Sequence, residues 1–455
     1  MIQATTLSHK IPPSLQGLPF LGSARSFLSA DGISVDFLQQ AQRKHGDVVH
    51  FNVMNRSFYL VSDPELVRQI MLERAQEFAK LEAISTKPNG LSRFLGNGIL
   101  TAGYEAWRPQ RKLIQPLMQH KHIAEYATTM AEMCDKFLVR WQNGEQRNIH
   151  RDMTQITMWI IAETMFAMSV EQSEQLEETV KSAQKIVIAD IASPLPSWLT
   201  RRNAESEKIN QVLLDLFMQL VAERRTHGYS DRHDLLSILM QARDENGQPM
   251  SDELLKDNIL TMFFAGHETT ANTLTWAFYY LSQNPSVLAE LEREVDSVLS
   301  ADGWPTLDDL SQLPYTMMVI KETMRIQPIV AMWPRVLPAA VSLGDYQLKA
   351  GSFVLISPYV LHHDDRRWSS PQDFDPTRFS AENEPKIEKY AYMPFGGGPR
   401  ICIGNHFALM EAQILLALIV RRYRLKLVPG TKIEPVRHIT CFPKNGLPMV
   451  VESRN

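Results

Sequence analysis

The stretch from Ser251 to Gln283 sets the scale of the fold. Ser251, followed by Asp252 and Glu253, is a strong helix start, and Asn284-Pro285 is a stop. No proline interrupts the residues between them. At about 1.5 Å per residue such a helix spans roughly 45 Å. In a chain of 455 residues it has to run through the core. Its centre, however, reads Ala265-Gly266-His267-Glu268-Thr269-Thr270. A helix-interior glycine costs about 1 kcal/mol relative to alanine, and threonine hydroxyls compete for backbone carbonyls. A weak, polar patch in the middle of a core helix is a local conflict of the kind that marks functional sites. The bland alternative is a kink around a satisfied polar pair. One residue along a helix turns the side chain by about 100°, so His267 faces away from its neighbours and is not read as a metal ligand.

The rest of the chain fits around that helix. Most of residues 105–300 carries apolar side chains at helical spacing, with breaks near Gly144, at Pro194 and Pro196, and at Gly247-Gln248-Pro249. Val48 to Val61 alternates and predicts a hairpin turning at Met54–Arg56. Asp63-Pro64 predicts a helix start. Short strands are expected at Arg335–Leu337, Tyr346–Leu348 and Ser352–Ile356. Residues 362–400 are long, irregular and proline-rich, and such stretches usually serve a function. A last helix is expected over His406 to Tyr423, followed by a strand-rich tail. Length alone would allow about three domains, but no flexible linker or repeat divides the chain. The expectation is one domain over 1–455, mainly α with a small β region, with 1–22 as a Pro-rich lead-in.

Composition excludes several functions. Lys+Arg 47 against Asp+Glu 51 leaves a formal charge of -4, without the basic excess that nucleic acid requires. Three cysteines, Cys134, Cys402 and Cys441, make no disulfide framework, so a cytoplasmic setting is the default. The longest pure apolar run, Ile414 to Val420, falls short of the roughly 18–20 residues of a membrane span, and Met1 to Lys10 lacks an apolar signal core. No membrane anchor is expected.

Four segments could carry chemistry. Cys402 sits in Phe395-Gly396-Gly397-Gly398-Pro399-Arg400-Ile401-Cys402-Ile403-Gly404, just before a long apolar helix. Backbone amides of such a loop favour thiolate. A thiolate there is a nucleophile or a metal ligand; a small buried loop residue is the alternative. No second Cys or His stands at zinc spacing. Glu322 and Arg325 share a helix face in an otherwise apolar segment, with Arg378 a candidate third member if the pair is buried. Trp107 and Arg111 are one turn apart, suited to a ligand carboxylate or to a cation–π pair.

Taken together, these segments resemble the cytochrome P450 family of haem-thiolate monooxygenases, along nearly the whole chain and in the expected order. The Cys402 decapeptide fits the signature Phe-x-x-Gly-x-Arg-x-Cys-x-Gly at every fixed position. Ala265-Gly266-His267-Glu268-Thr269 matches the oxygen-activation motif, Glu322-x-x-Arg325 the Glu-x-x-Arg motif, and Trp107-x-x-x-Arg111 the haem-propionate pair. Pro376-Thr377-Arg378-Phe379 matches the meander motif, with Thr377 where Glu is common.

The resemblance implies a P450 fold with haem b between the long central helix and the cysteine loop. Cys402 would be the proximal thiolate ligand, which favours O–O cleavage. Gly398 and Gly404 would let the loop pass close to the porphyrin, and Phe395 would pack beneath it. Trp107, Arg111, Arg335 and Arg400 would bind propionates; Glu322, Arg325 and Arg378 would hold the proximal scaffold. On the distal side Thr269 and Glu268 would feed protons to dioxygen, and Ala265-Gly266 would leave room for it. The implied reaction inserts one atom of O2 into a C–H or C=C bond of a hydrophobic, fatty-acid-like or terpenoid/steroid-like molecule. Pocket candidates are Leu91, Phe94, Leu95, Leu100, Phe264, Ala265, Ile329, Val330 and Met332. Only 53 residues (455 − 402) follow Cys402, so no reductase is fused and a ferredoxin or flavodoxin-type donor with its reductase is implied. Arg108, Lys112, Lys386 and Lys389 are candidates to dock it. Rival readings are a haem-thiolate peroxygenase or isomerase, a haem sensor or carrier, and a cysteine hydrolase with His406 as base. The Glu268-Thr269 pair argues against the first two.

Overall fold

The computed structural model describes residues 10–29, 31–80, 91–192, 202–229, 234–299 and 303–454. The breaks expected at Pro194 and Pro196, and Met1 to His9 of the polar N-terminus, lie outside these residues.

The small β region comes first. Strands β1 (Val48–Val53) and β2 (Arg56–Val61) form the hairpin, with Met54 in the turn at φ 52°. Asp63 caps the helix beginning at Pro64 by accepting from the Leu66 amide at 3.0 Å. That helix runs on into one π-type turn, Gln69–Glu73, before β3 (Ala79–Lys80). Much later, β4 (Trp333–Val336) and β5 (Phe353–Ile356) complete a five-stranded sheet of order β1-β2-β5-β4-β3. β2 and β5 run parallel and the other neighbours antiparallel. Successive strand residues point to opposite faces, and both faces are covered. Val48, Tyr59, Val61, Val354 and Ile356 join one apolar cluster, while Val49, Phe51, Leu60 and Leu355 join another.

The helical body contains α1 (Ser92–Leu95), α2 (Tyr104–Ile114), α3 (Ala127–Leu138), α4 (Ile149–Phe166), α5 (Val170–Ala192) and α6 (Arg202–His227). The long helix, α7 (Asp252–Gln283), has 32 residues and starts where Ser251 Oγ accepts from the Leu254 amide. It runs unbroken through residues 265–270. α8 (Pro314–Ile326) and α9 (Asn405–Arg422) pack against it in one large apolar cluster. A C-terminal hairpin, β6 (Pro435–Arg437) and β7 (Cys441–Pro443), lies against α7, where Trp276 Nε1 donates to the Cys441 carbonyl at 3.1 Å. A strand the sequence did not announce, Val341–Leu343, pairs with Tyr346–Leu348.

Candidate cofactor and active site

The loop before α9 is folded tightly around its cysteine. The Cys402 amide donates to the Phe395 carbonyl at 3.0 Å, closing the loop on the residue expected to lie beneath a ring. Cys402 keeps exposed surface as a residue, although protein packs around its thiol. Burial pushes it up, while the Gly404 amide and the Arg111 guanidinium favour the thiolate. Arg111 is held there by donating from Nη1 to the Ile401 carbonyl at 2.8 Å. The two expected loop glycines differ in their reasons. Gly398 has φ 64°, and a Cβ on it would sit 1.7 Å from the Met71 carbonyl oxygen. This glycine is therefore required by protein packing against the Gln69–Glu73 turn, a reason the sequence did not show. Gly404 meets nothing within 4 Å of an added Cβ, so no protein contact requires it.

A buried ionic cluster supports this loop. Arg325 and Glu322 are fully buried and form two parallel bonds, Nε to Oε2 at 2.6 Å and Nη2 to Oε1 at 2.7 Å. Arg378 reaches Glu322 Oε1 at 3.3 Å, and the Asp375 amide donates to the same oxygen at 2.9 Å. The remaining Arg325 protons go to the carbonyls of His362, Pro371 and Asp373. His362 extends the cluster. Its Nδ1 faces the Arg325 carbonyl and its Nε2 accepts from the Met393 amide at 3.0 Å, which places the proton on Nδ1. Met393 stands two residues before Phe395, so α8 anchors the irregular stretch that delivers the cysteine. Thr377, at the unusual position of the meander, donates its amide and hydroxyl to Asp375.

A second charged cluster has no such balance. Arg400 lies over the Trp107 ring at 4.3 Å and donates to the Ala102 carbonyl at 3.0 Å. The partner of Trp107 is thus Arg400 rather than Arg111. Lys80 on β3 stands directly across the ladder from Arg335 on β4. Arg335 bonds its neighbour Pro334 and the Met71 sulfur. Burial and the nearby Arg400 and Arg335 pull the Lys80 amine down to about 7, and burial pulls both guanidiniums down to about 10. Like charges opposite one another in a ladder are destabilising. Among the described residues no carboxylate is bonded to any of the three. The arrangement fits an anion with two carboxylates. Nor does any cluster of three or more His, Cys, Asp or Glu among the described residues offer a metal site. Haem carries the other ligands of its iron and two carboxylates, which suits Cys402 and these cations. Sequence reasoning missed Lys80, because only the strand pairing brings it opposite Arg335.

On the other side lies the centre of α7. The Thr269 hydroxyl donates to the Ala265 carbonyl at 2.9 Å, and Thr270, Thr273 and Thr275 make the same four-residue back-bond. Ala265 is exposed although Phe263 and Phe264 beside it are buried. The expected opening at Gly266 differs: a Cβ there would lie 2.0 Å from Ile161 Cδ1, so the missing side chain admits α4. His267 is buried, bonds the Phe263 carbonyl at 2.7 Å, and burial pulls it down to about 4. Glu268 accepts from Gln184 Nε2 at 2.7 Å and from the Thr440 hydroxyl at 2.6 Å. Neither partner was foreseen.

The profile of one family, described as cytochrome P450, matches residues 12–448. The chain belongs to the cytochrome P450 family. It is similar to cyclooctatin synthase of Streptomyces melanosporofaciens, 34% identical over 94% of this chain and 92% of that protein. Pentalenene oxygenase of Streptomyces avermitilis is 30% identical over 90% of this chain and 91% of that protein. Among solved structures, retinoic acid-bound cyanobacterial CYP120A1 superposes with TM-score 0.85 and 26% identity, covering 98% of this chain and 100% of that one. The fold is accordingly the P450 fold, and the activity class is oxidoreductase monooxygenase. P450 monooxygenases carry haem-thiolate iron and use O2, a hydrophobic substrate and a redox partner.

Within this P450 the pocket candidates divide. Phe94 and Phe264 stack at 6.4 Å, and Leu91 and Leu100 are half-buried against the same cluster. One expectation needs correction. Leu95 is fully covered, because a single turn of helix, α1, directs it into the main core, so it presents no surface to a ligand. Met332 packs on the Phe27–Phe51 cluster beside the sheet. Ile329 packs with Trp276 and Cys441, and Val330 is half-buried. Among the described residues no helix is long and apolar enough to cross a membrane.

Proposed function

We propose that this P450 binds haem b and hydroxylates or epoxidises an apolar, terpenoid-like molecule. The carrying observation is Cys402, which keeps exposed surface, beside an unbalanced cluster of Lys80, Arg335 and Arg400. Cys402 would hold the haem iron through its thiolate, which the Gly404 amide and Arg111 favour. Lys80, Arg335, Arg400, Arg111 and Trp107 would hold the two propionates, and Gly404 would leave the loop free of a side chain at the cofactor. When bound, haem with a thiolate ligand activates dioxygen so that one atom enters a C–H or C=C bond and the other leaves as water, for two electrons.

The chain's own residues do the rest. Thr269 releases the Ala265 carbonyl and turns its hydroxyl toward the distal side. Glu268 replaces the transferred proton at Thr269 Oγ1. Phe94, Phe264, Leu91 and Leu100 exclude water and bind apolar carbon. The terpenoid assignment draws on relatives named cyclooctatin synthase, cyclooctat-9-en-7-ol 5-monooxygenase and pentalenene oxygenase. The donor is a ferredoxin or flavodoxin-type protein. Arg108 and Lys389 are exposed for it, whereas Lys112 and Lys386 already pair with Glu245 and Glu382. Reversing Arg108 and Lys389 together should slow reduction and weaken its salt dependence.

Cys402→Ala should remove the thiolate-type spectrum of the reduced, CO-treated protein together with activity. Thr269→Ala should keep that spectrum and divert electrons to hydrogen peroxide. A screen of terpenoids and fatty acids for the low-to-high-spin shift identifies the substrate class. Shifts with fatty acids alone would reject the terpenoid assignment.

A further inference from the structure

The acid of the distal helix has unusual company. Both Glu268 oxygens are occupied, Oε2 by Gln184 of α5 and Oε1 by Thr440 of the C-terminal hairpin. The Thr269 hydroxyl is occupied by the Ala265 carbonyl. Acid and alcohol, adjacent in sequence, therefore do not touch. One turn along α7, Asn272 adds a third neutral group. His150 Nε2 on α4 bonds Asn272 Oδ1 at 3.0 Å, and the Asn272 amide nitrogen has no other partner within bonding geometry. Asn272 also favours the charged form of Glu268, four residues back on the same helix. The His150 ring is fixed in turn by lying parallel to Phe442, at 5.9 Å.

We propose that Gln184 and Thr440 are positioning residues for proton delivery: two neutral donors, from separate elements, that hold Glu268 apart from Thr269 until one of them lets go. The inference rests on Glu268 serving as the acid. An acid tied to α5 and to the hairpin changes its reach when either element shifts against α7, so what fills the space between them bears on when the proton moves. Neutral donors suit this purpose. A buried cation would fix the carboxylate as a permanent ion pair, whereas hydroxyl and amide donors leave it able to hold or give a proton. Burial pushes the Glu268 carboxyl up, and Thr440 and Asn272 pull it back. The packed elements carry Glu177, Lys181 and Lys185 on α5, His150 on α4, His267 on α7, and Arg437 and His438 on the hairpin. Of the nearer groups, Lys181 on α5 acts on His150 and His267, and Glu177 on His267.

The test uses the haem-loaded protein, checked for haem content and CO spectrum, with Thr440→Val, Thr440→Ser, Gln184→Met and Glu268→Gln. Infrared titration gives the Glu268 carboxyl band, assigned by its loss in Glu268→Gln. Removing a donor to the charged form should move that titration about one pH unit upward in Thr440→Val and in Gln184→Met. Thr440→Ser should restore it. The ratio of peroxide to product should change several-fold in the same two variants, with its pH profile displaced in parallel. If the carboxyl titration and the pH profile stay in place in both variants, the positioning role is overturned, whatever happens to thermal stability. If the titration moves but Glu268→Gln leaves coupling intact, Glu268 is not the acid; the holding contacts then stand, and the delivery role attached to them falls.

Discussion

Two charged clusters lie on the same side of this P450, and they are built on opposite rules. Around Glu322 two guanidiniums share one carboxylate and the remaining Arg325 donors reach carbonyls, so the cluster finds its partners within the protein. Around Arg335 three cations meet with no bonded acid among the described residues, an arrangement suited to an anion from outside. A buried, closed ion pair stabilises a scaffold only while both partners remain. A buried, open cluster costs stability in the haem-free chain and returns it as affinity when the group arrives. The contrast teaches which charges hold the chain and which wait for a ligand.

The comparison breaks most visibly at Glu322. Glu322→Ala leaves Arg325 buried without a counter-charge and should cost about 3–5 kcal/mol, with loss of bound haem through the displaced Met393–Cys402 segment. Denaturant unfolding and haem content measure this, and a change within 1 kcal/mol (roughly the value of an exposed pair) would show that the cluster is not what holds the loop.

Glu411 sharpens the contrast from the acid side. It is buried on α9, and burial pushes it up to about 8 despite the nearby Thr270 hydroxyl. The unfolded chain releases this proton near 4.5, and the folded chain holds it to about 8. Between those values the folded form binds more protons, so stability is greatest below that window and falls as pH rises through it. The slope is at most about 1.4 kcal/mol per pH unit. Glu411→Gln should flatten the slope in chemical denaturation across that range; equal slopes in both proteins would rule out a buried neutral acid.

The smallest effect is expected at Lys80, with opposite signs in the two states. Lys80→Met should speed haem transfer to excess apomyoglobin by about tenfold, the value of one hydrogen bond to a charged group. The same change should slightly stabilise the haem-free chain, because it removes a like charge opposite Arg335. Destabilisation of both states alike would place Lys80 with the scaffold instead of the cofactor.

Local chemistry made much of this legible. The ends of α7 were readable because Ser251 and Asn284-Pro285 act on their own neighbours, and the β1–β2 hairpin because its alternation is a two-residue period. The Cys402 loop was readable as a motif, although the reason for Gly398 was not: it lies in Met71, more than three hundred residues earlier. Leu95 looked like a pocket residue because apolar character does not say which cluster a side chain joins.

By itself the amino-acid sequence determined the helical body, the capped 32-residue helix, the cysteine loop and the Glu322–Arg325 spacing. These follow from interactions within a few residues, where spacing along the chain is spacing in space. Only the tertiary structure decided that Lys80 faces Arg335, that Arg400 covers Trp107, and that Gln184 and Thr440 close on Glu268. Each of those contacts joins elements far apart in the chain, and their partners are set by packing and strand register, which no local pattern records.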